Sequence, residues 1–219
     1  MLVGLGKAGI KGIDMLSVTL FATFFGSKMS TGILLPLLCL GDIAAVIYYK
    51  RHVEWNHFWK LIPPMIIGIL IGVWIGKDLD EHLFKRLMGL IVLSSIIIIL
   101  YMELRKTKTA PTHPLFSIGV GSVAGFATMI GNLAGAFASL YFLAMRSTKN
   151  NFIGTAAWIF LCINLFKLPF QIFYWHNITT ETLSMDLHAL PALIIGFIAG
   201  IYIVGKIDER KFRTLVITL

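Results

Sequence analysis

Apolar residues in this chain come in long blocks, not in alternation with polar ones. Blocks such as 61–75, 87–102, 153–166 and 190–204 are apolar on every side. That pattern predicts helices buried in lipid, because a span needs about 20 mostly apolar residues. A barrel strand would alternate lipid-facing and polar positions, so a β-barrel is excluded. The blocks divide the chain into eight segments: 2–25, 30–49, 60–76, 83–103, 115–144, 152–175, 188–205 and 210–219. Loops between them are short, and only 104–113 (LRKTKTAPTH) reads as a linker. The last segment is about half a span, too short to cross ~30 Å of hydrocarbon. This predicts a chain truncated at its C-terminus, and glycines close to Met1 raise the same expectation for the N-terminus.

The pattern repeats. Gly4-Leu5-Gly6 opens the first half and Gly119-Val120-Gly121 the second. Ser30-Thr31-Gly32 with Asp42 parallels Ile153-Gly154 with Asn164. Pro63, Gly68 and Gly72 match Pro191, Gly196 and Gly200 in spacing, and GKDLDEHLFKR (76–86) parallels GKIDERKFR (205–213). The expected architecture is one all-α polytopic membrane domain over 1–219, built of two homologous repeats, 1–109 and 110–219, with four apolar segments each.

Composition agrees and adds charge. The 219 residues are 57% hydrophobic and 14% charged, against ~45–50% and ~25% for soluble domains. This excludes a soluble enzyme and a disordered chain. The net charge of +8 does not signal nucleic acid, because the 19 Lys and Arg lie mostly between apolar blocks. Their sorting is a topology argument. If all eight segments crossed, the loop cations would divide only weakly. If the first segment of each half is a re-entrant hairpin, one side collects Lys50, Arg51, Lys60, Arg105, Lys106, Lys108, Arg146, Lys149, Lys206, Arg210, Lys211 and Arg213. The other side keeps Lys28, Lys77, Lys85 and Arg86, and the loop 176–186 has no Lys or Arg. Each half then has three crossings, so the repeats are inverted, as in many secondary transporters. The first segments suit such a break: 4–12 reads GLGKAGIKG and 119–135 reads GVGSVAGFATMIGNLAG. Non-helical backbone at membrane depth is tolerated where it lines a cavity or is buried in protein.

Ionisable residues inside spans are costly and are functional candidates. Lys7, Asp42 and Lys167 stand out, with Asn164 three residues before Lys167; Lys11 also falls within a segment. Asp42 is expected to pair with Lys7 or Lys167. Asn132, between Gly131 and Gly135, is the polar ligand candidate of the second glycine-rich turn. Free N–H groups at such a turn suit an oxyanion. Thr155, Asn164, Thr31 and Ser30 are further donors. The bland readings are snorkelling for Lys7, a structural ion pair for Asp42 and Lys167, an interhelical hydrogen bond for Asn132, and back-bonding to its own helix for the other donors. Gly68, Gly72, Gly76, Gly196 and Gly200 read as packing glycines.

Other chemistry is poorly supported. Gly4-x-Gly6-x-x-Gly9 matches a dinucleotide fingerprint in letters but has no strand before it. There is no HExxH and no GxSxG, and the six histidines lie at span ends or in loops. Cys39 and Cys162 lie in apolar blocks as small hydrophobes. Neither an enzyme, a metal nor a cofactor is expected, and no cleavable signal peptide is visible.

The chain resembles the sulfite exporter TauE/SafE family of membrane permeases. The resemblance rests on Gly6-Lys7-x-Gly9 with Gly12, Thr31-Gly32-x-x-x-Pro36 followed by Asp42, Val53-x-Trp55 after Lys50-Arg51, and Pro63-x4-Gly68-x3-Gly72. In the second half it rests on Gly131-Asn132-x-Ala134-Gly135, Tyr141-Phe142-Leu143, Lys149-x-x-Phe152-x-Gly154-Thr155 and Asn164-x-x-Lys167-x-Pro169. It covers nearly the whole chain. One departure is Ala136, where many members have proline. The resemblance implies two repeats, typically eight membrane segments, and a multi-pass carrier in a bacterial inner membrane. The implied substrates are small sulfur anions such as sulfite, sulfonates or thiosulfate. The expected site combines Gly6, Lys7, Gly131, Asn132 and Gly135, with positive charge from Lys167, donors from Thr155 and Asn164, and Asp42 for charge balance or proton coupling. The expected partners are a small anion and the bilayer, with a homodimer left open. A non-transporting scaffold and an anion channel are the alternative readings.

Overall fold

The computed structural model describes residues 1–10, 12–105 and 113–218. Lys11, Lys106 and Lys108 lie outside the described residues, as do the side chains of Arg105, Arg210 and Arg213. The chain is all-helical among the described residues: α1 Leu2–Lys7, α2 Ile13–Phe25, α3 Ser27–Tyr49, α4 Trp55–Lys77, α5 Glu81–Arg105, α6 Pro114–Gly131, α7 Ala134–Ala144, α8 Lys149–Pro169, α9 Thr180–Lys206 and α10 Glu209–Thr218. A 3₁₀ turn, Lys50–His52, extends α3, and a π-helical turn, Phe170–Tyr174, extends α8. With these extensions, five helices among the described residues (α3, α4, α6, α8 and α9) are long and apolar enough to cross a membrane. Large apolar side chains such as Ile67, Trp74, Ile195 and Ile198 are exposed on them. In water such a surface would be a liability; in hydrocarbon it is the matching surface.

The glycine-rich segments are where helices break. The first is interrupted between α1 and α2, with Gly9 at φ +122° and Gly12 at φ +98°. Side chains rarely adopt such angles, so glycine makes this turn possible. The second is interrupted at Asn132, left-handed at φ 55°. Asparagine is the residue that best tolerates this region after glycine. α9 differs from the expectation for 188–205. It begins at Thr180, and the stretch read as a loop to Asp186 is helix. The cause is a capping box: Thr179 and Thr182 satisfy each other's backbone N–H through their hydroxyls. A reading based on apolar runs cannot see a start that polar caps create.

Small residues set the helix pairs. A methyl on Gly68 would overlap the Ser122 carbonyl, and one on Gly125 the Met65 carbonyl. The same relation holds between Gly4 and Leu193, and between Gly196 and Met1. Gly72 meets Phe126 and Met129, just as Gly200 meets Leu5 and Ala8. Along both pairs the contacts advance together, so α4 runs parallel to α6 and α9 parallel to α1. α3 and α8 are antiparallel: Thr31 meets Gln171, Asp42 meets Asn164, and the His52 carbonyl abuts Gly154. α7 turns back along α6, since Tyr141 stacks on Phe116 and bonds His57 near the start of α4.

These directions define two faces. On one, Glu54 accepts from the Ser147 hydroxyl at 3.0 Å, and the Glu209 carboxylate accepts the Lys149 N–H at 2.9 Å. On the other, Glu81 receives the N–H groups of Ser27 and Lys28. There Lys28 Nζ donates to the Lys77 carbonyl at 2.6 Å, and Asn177 to the Lys28 carbonyl. Lys50, Arg51, Arg146, Lys149 and Lys206 lie at helix ends on the first, more basic face.

The glycine contacts yield a stability prediction. Gly68→Val puts two methyls against backbone that cannot yield without parting α4 from α6. Overpacking of this kind costs about 1–3 kcal/mol, to be seen as a lowered unfolding midpoint in detergent. Gly89→Ala in α5, with open space around it, is expected to be neutral or to stabilise by up to about 1 kcal/mol. Equal effects from both would overturn the packing role.

Candidate functional site

Polar side chains meet where α3 crosses α8. Lys7, the last residue of α1, reaches over Gly41, whose missing side chain leaves room for the lysine stem. Its ammonium pairs with Asp42 Oδ1 at 2.7 Å and lies 5.0 Å above the Phe160 ring. Asp42 is fully buried, and its Oδ2 accepts from Asn164 Nδ2 at 2.7 Å. Asn164 in turn accepts through Oδ1 from Lys167 at 3.4 Å. One amide therefore links the carboxylate of one helix to the ammonium of another.

Lys167 is also fully buried. It donates to Asn132 Oδ1 at 2.6 Å and Thr128 Oγ1 at 3.1 Å, so its three N–H donors have three oxygen acceptors. Asn132 hands the chain on by donating to the Thr31 carbonyl at 3.0 Å. The Thr31 hydroxyl accepts from Gln171, and Gln171 Oε1 accepts from Asn177 at 3.0 Å. Gly32 gives Asn177 its space. The result is one polar column from Lys7, mid-molecule, to the less basic face. Gln171 sits in the π-helical turn that follows Pro169, a distortion often met at functional sites.

Two ammonium groups and one carboxylate leave this column with one more cation than anion when all are ionised. The acceptors around Lys167 are neutral oxygens. A charged oxygen makes a hydrogen bond about twice as strong. The arrangement can therefore exchange an amide or hydroxyl acceptor for a small oxyanion without stranding a charge.

The structure brings some of the residues singled out from sequence together and leaves others apart. Lys7, Asp42, Asn132, Asn164 and Lys167 are joined in the column. Gly6 and Gly131 are buried at the ends of α1 and α6, next to the two breaks. The backbone N–H groups of Asn132 and Leu133, expected to be free, are spent on the Thr128 and Ala127 carbonyls. The donors without an intrahelical partner are those of the first turn of α7, Gly135 among them, which no side chain caps. Thr155 stands apart: its hydroxyl accepts the Glu54 N–H at 2.8 Å on the basic face. Ser30 back-bonds to the Ser27 carbonyl. Thr128, Gln171 and Asn177 belong to the column without having stood out in the sequence. Gln171 had a signal, since 164, 167 and 171 form a polar stripe on one face of an apolar helix.

A comparison with protein families decides what carries this column. The family model for the sulfite exporter TauE/SafE matches residues 3–219. The chain belongs to the TauE/SafE family. That family is one of membrane transporters of sulfur anions, not of enzymes. The comparisons with curated proteins and with solved structures returned no match. In this TauE/SafE chain the polar column starts at Lys7 beside the first helix break, passes the second at Asn132, and draws residues from both halves.

Proposed function

We propose that this protein is a secondary carrier of a small sulfur oxyanion such as sulfite, a sulfonate or thiosulfate, working by alternating access of two inverted repeats. The observation that carries the reading is the buried polar column that joins Lys7, Asp42, Asn164, Lys167 and Asn132, with two lysines and one carboxylate. An ammonium inside a bilayer-spanning protein is expensive unless used or paired. Here two are present, and the one carboxylate pairs with Lys7, while Lys167 meets neutral oxygens.

What supports the inverted arrangement is the direction of matched elements. α1 and α3 run opposite to α6 and α8, and the Gly68–Ser122 and Gly196–Met1 contacts are counterparts. α2 and α7 are then the returning arms of two re-entrant hairpins. The basic face is the cytoplasmic one by the positive-inside rule, in the inner membrane of a bacterium. An anion would bind between Lys167, Lys7 and the first turn of α7 at Gly135. Asp42 keeps Lys7 compensated when no anion is bound.

Labelled sulfite, thiosulfate and a small sulfonate presented to proteoliposomes test the reading. The expected result is saturable flux of at least one of them, accelerated by an ion or counter-anion gradient. Flux that rises linearly with concentration would make the protein a channel. No flux of any would favour a scaffold.

A further inference from the structure

A cavity of about 350 Å³ opens on the basic face between α3, α8 and α9, away from the column. Tyr48, Tyr49, His52, Lys149, Asn150, Ile201, Val204 and Gly205 line it. Every polar side chain in that wall can donate a hydrogen bond, and none is a carboxylate. Lys149 gives two of its donors to the Val204 and Ile207 carbonyls, at 3.2 and 2.6 Å, which fixes its ammonium in the wall. A third donor remains. Tyr48, His52 and Asn150 are exposed, so the cavity is open to its face. Such a wall selects an anion over a cation or an apolar molecule.

The floor of the cavity adjoins the column. The Tyr49 hydroxyl donates to the Ala8 carbonyl at 3.0 Å, and Ala8 follows Lys7. Val204 packs against Gly9, the residue whose positive φ shapes the break after α1. A single layer, Tyr49 on Ala8 and Val204 on Gly9, thus parts the cavity from the Lys7–Asp42 pair. On the opposite side the column is closed by several bonded side chains, Thr31, Gln171 and Asn177.

We propose that this cavity is a second anion station, the vestibule through which the transported oxyanion reaches Lys7 from the basic face. The proposal rests on the carrier reading above. Its ligand chemistry, a small oxyanion held by Lys149, His52, Asn150 and Tyr48, could also be met by a phospholipid phosphate.

The test is sided flux in oriented proteoliposomes, using whichever labelled anion among sulfite, thiosulfate and a small sulfonate the unaltered protein carries. The paired variant His52→Leu, Asn150→Ala removes two exposed wall donors and leaves the Lys149 framework in place. Each lost hydrogen bond to a charged ligand is worth a factor of roughly ten or more. The expected result is a KM for anion added at the basic face raised roughly 100-fold, with the opposite-face KM and the maximum rate unchanged. A fold defect would instead move both faces together. Unchanged KM on both faces would overturn the proposal. So would loss of bound phosphatidylglycerol in native mass spectrometry with KM unmoved, which would assign the cavity to lipid. Neither outcome touches the carrier reading, which fails only if the unaltered protein carries no anion saturably.

Discussion

Asp42→Ala is expected to cost this protein more stability than any other single side-chain truncation in the column. It leaves the Lys7 ammonium buried without a carboxylate, with the Phe160 ring as its nearest compensation at 5.0 Å. It also removes the acceptor of Asn164 Nδ2. Removing one partner of a buried pair costs about 3–5 kcal/mol, far more than the net worth of the pair itself. The expected readout is a large drop in the thermal unfolding midpoint in detergent, with poor insertion yield. The double variant Lys7→Met, Asp42→Leu removes both charges and is expected to recover most of that loss, since an apolar replacement of similar volume is often neutral. It is expected to recover little of the flux. A double variant that transports like the unaltered protein would show the pair to be structural only.

The second large effect is on transport. Lys167→Met keeps the length of the side chain but removes the only charge among three neutral acceptors, Asn132, Thr128 and Asn164. If an anion replaces one of those acceptors, its lost charge-assisted bond is worth about 1.5–3 kcal/mol. That corresponds to a roughly 10- to 150-fold loss in flux at low anion concentration. Lys167→Arg restores charge but not the compact ammonium, whose three donors suit three converging oxygens. It is expected to fall between the two. The measurement is initial-rate flux below saturation, with folding checked by the unfolding midpoint. Flux in Lys167→Met within twofold of the unaltered protein would remove Lys167 from the site.

The two experiments separate roles that one hydrogen-bonded chain combines. Asp42 touches Lys7 and Asn164, and it is predicted to act mainly through stability. Lys167 touches no carboxylate, and its loss strands only neutral groups. Its predicted effect therefore lies in binding more than in folding.

Much of the site is legible in the sequence because bilayers make polar residues conspicuous. Lys7, Asp42, Asn164 and Lys167 stand out in apolar segments, and Asn132 stands out between glycines. Their chemistry is readable one residue at a time. Thr128 is not conspicuous, since a threonine inside a span normally bonds back to its own helix. Asn177 is not either, since it lies in the turn between α8 and α9, where polar residues are ordinary. Thr155 shows the converse. Its place beside Gly154 in a matched motif suggests a ligand, but α8 carries it to the basic face, where it holds the N-terminal approach to α4 through the Glu54 N–H.

By itself the sequence determined the class of the protein, the positions of the helix breaks and the residues whose charge demands an explanation. Those follow from local physics: hydrocarbon excludes bare polar backbone, glycine and asparagine permit left-handed turns, and buried ions need partners. It left open whether Asp42 pairs with Lys7 or Lys167, and both spacings were acceptable. That choice was made by tertiary structure. The antiparallel crossing of α3 and α8 sets Asn164 between Asp42 and Lys167, and the parallel packing of α1 on α9 delivers Lys7 to the remaining carboxylate oxygen. Partner choice among buried charges depends on distances between segments far apart in the chain, and no local rule encodes those.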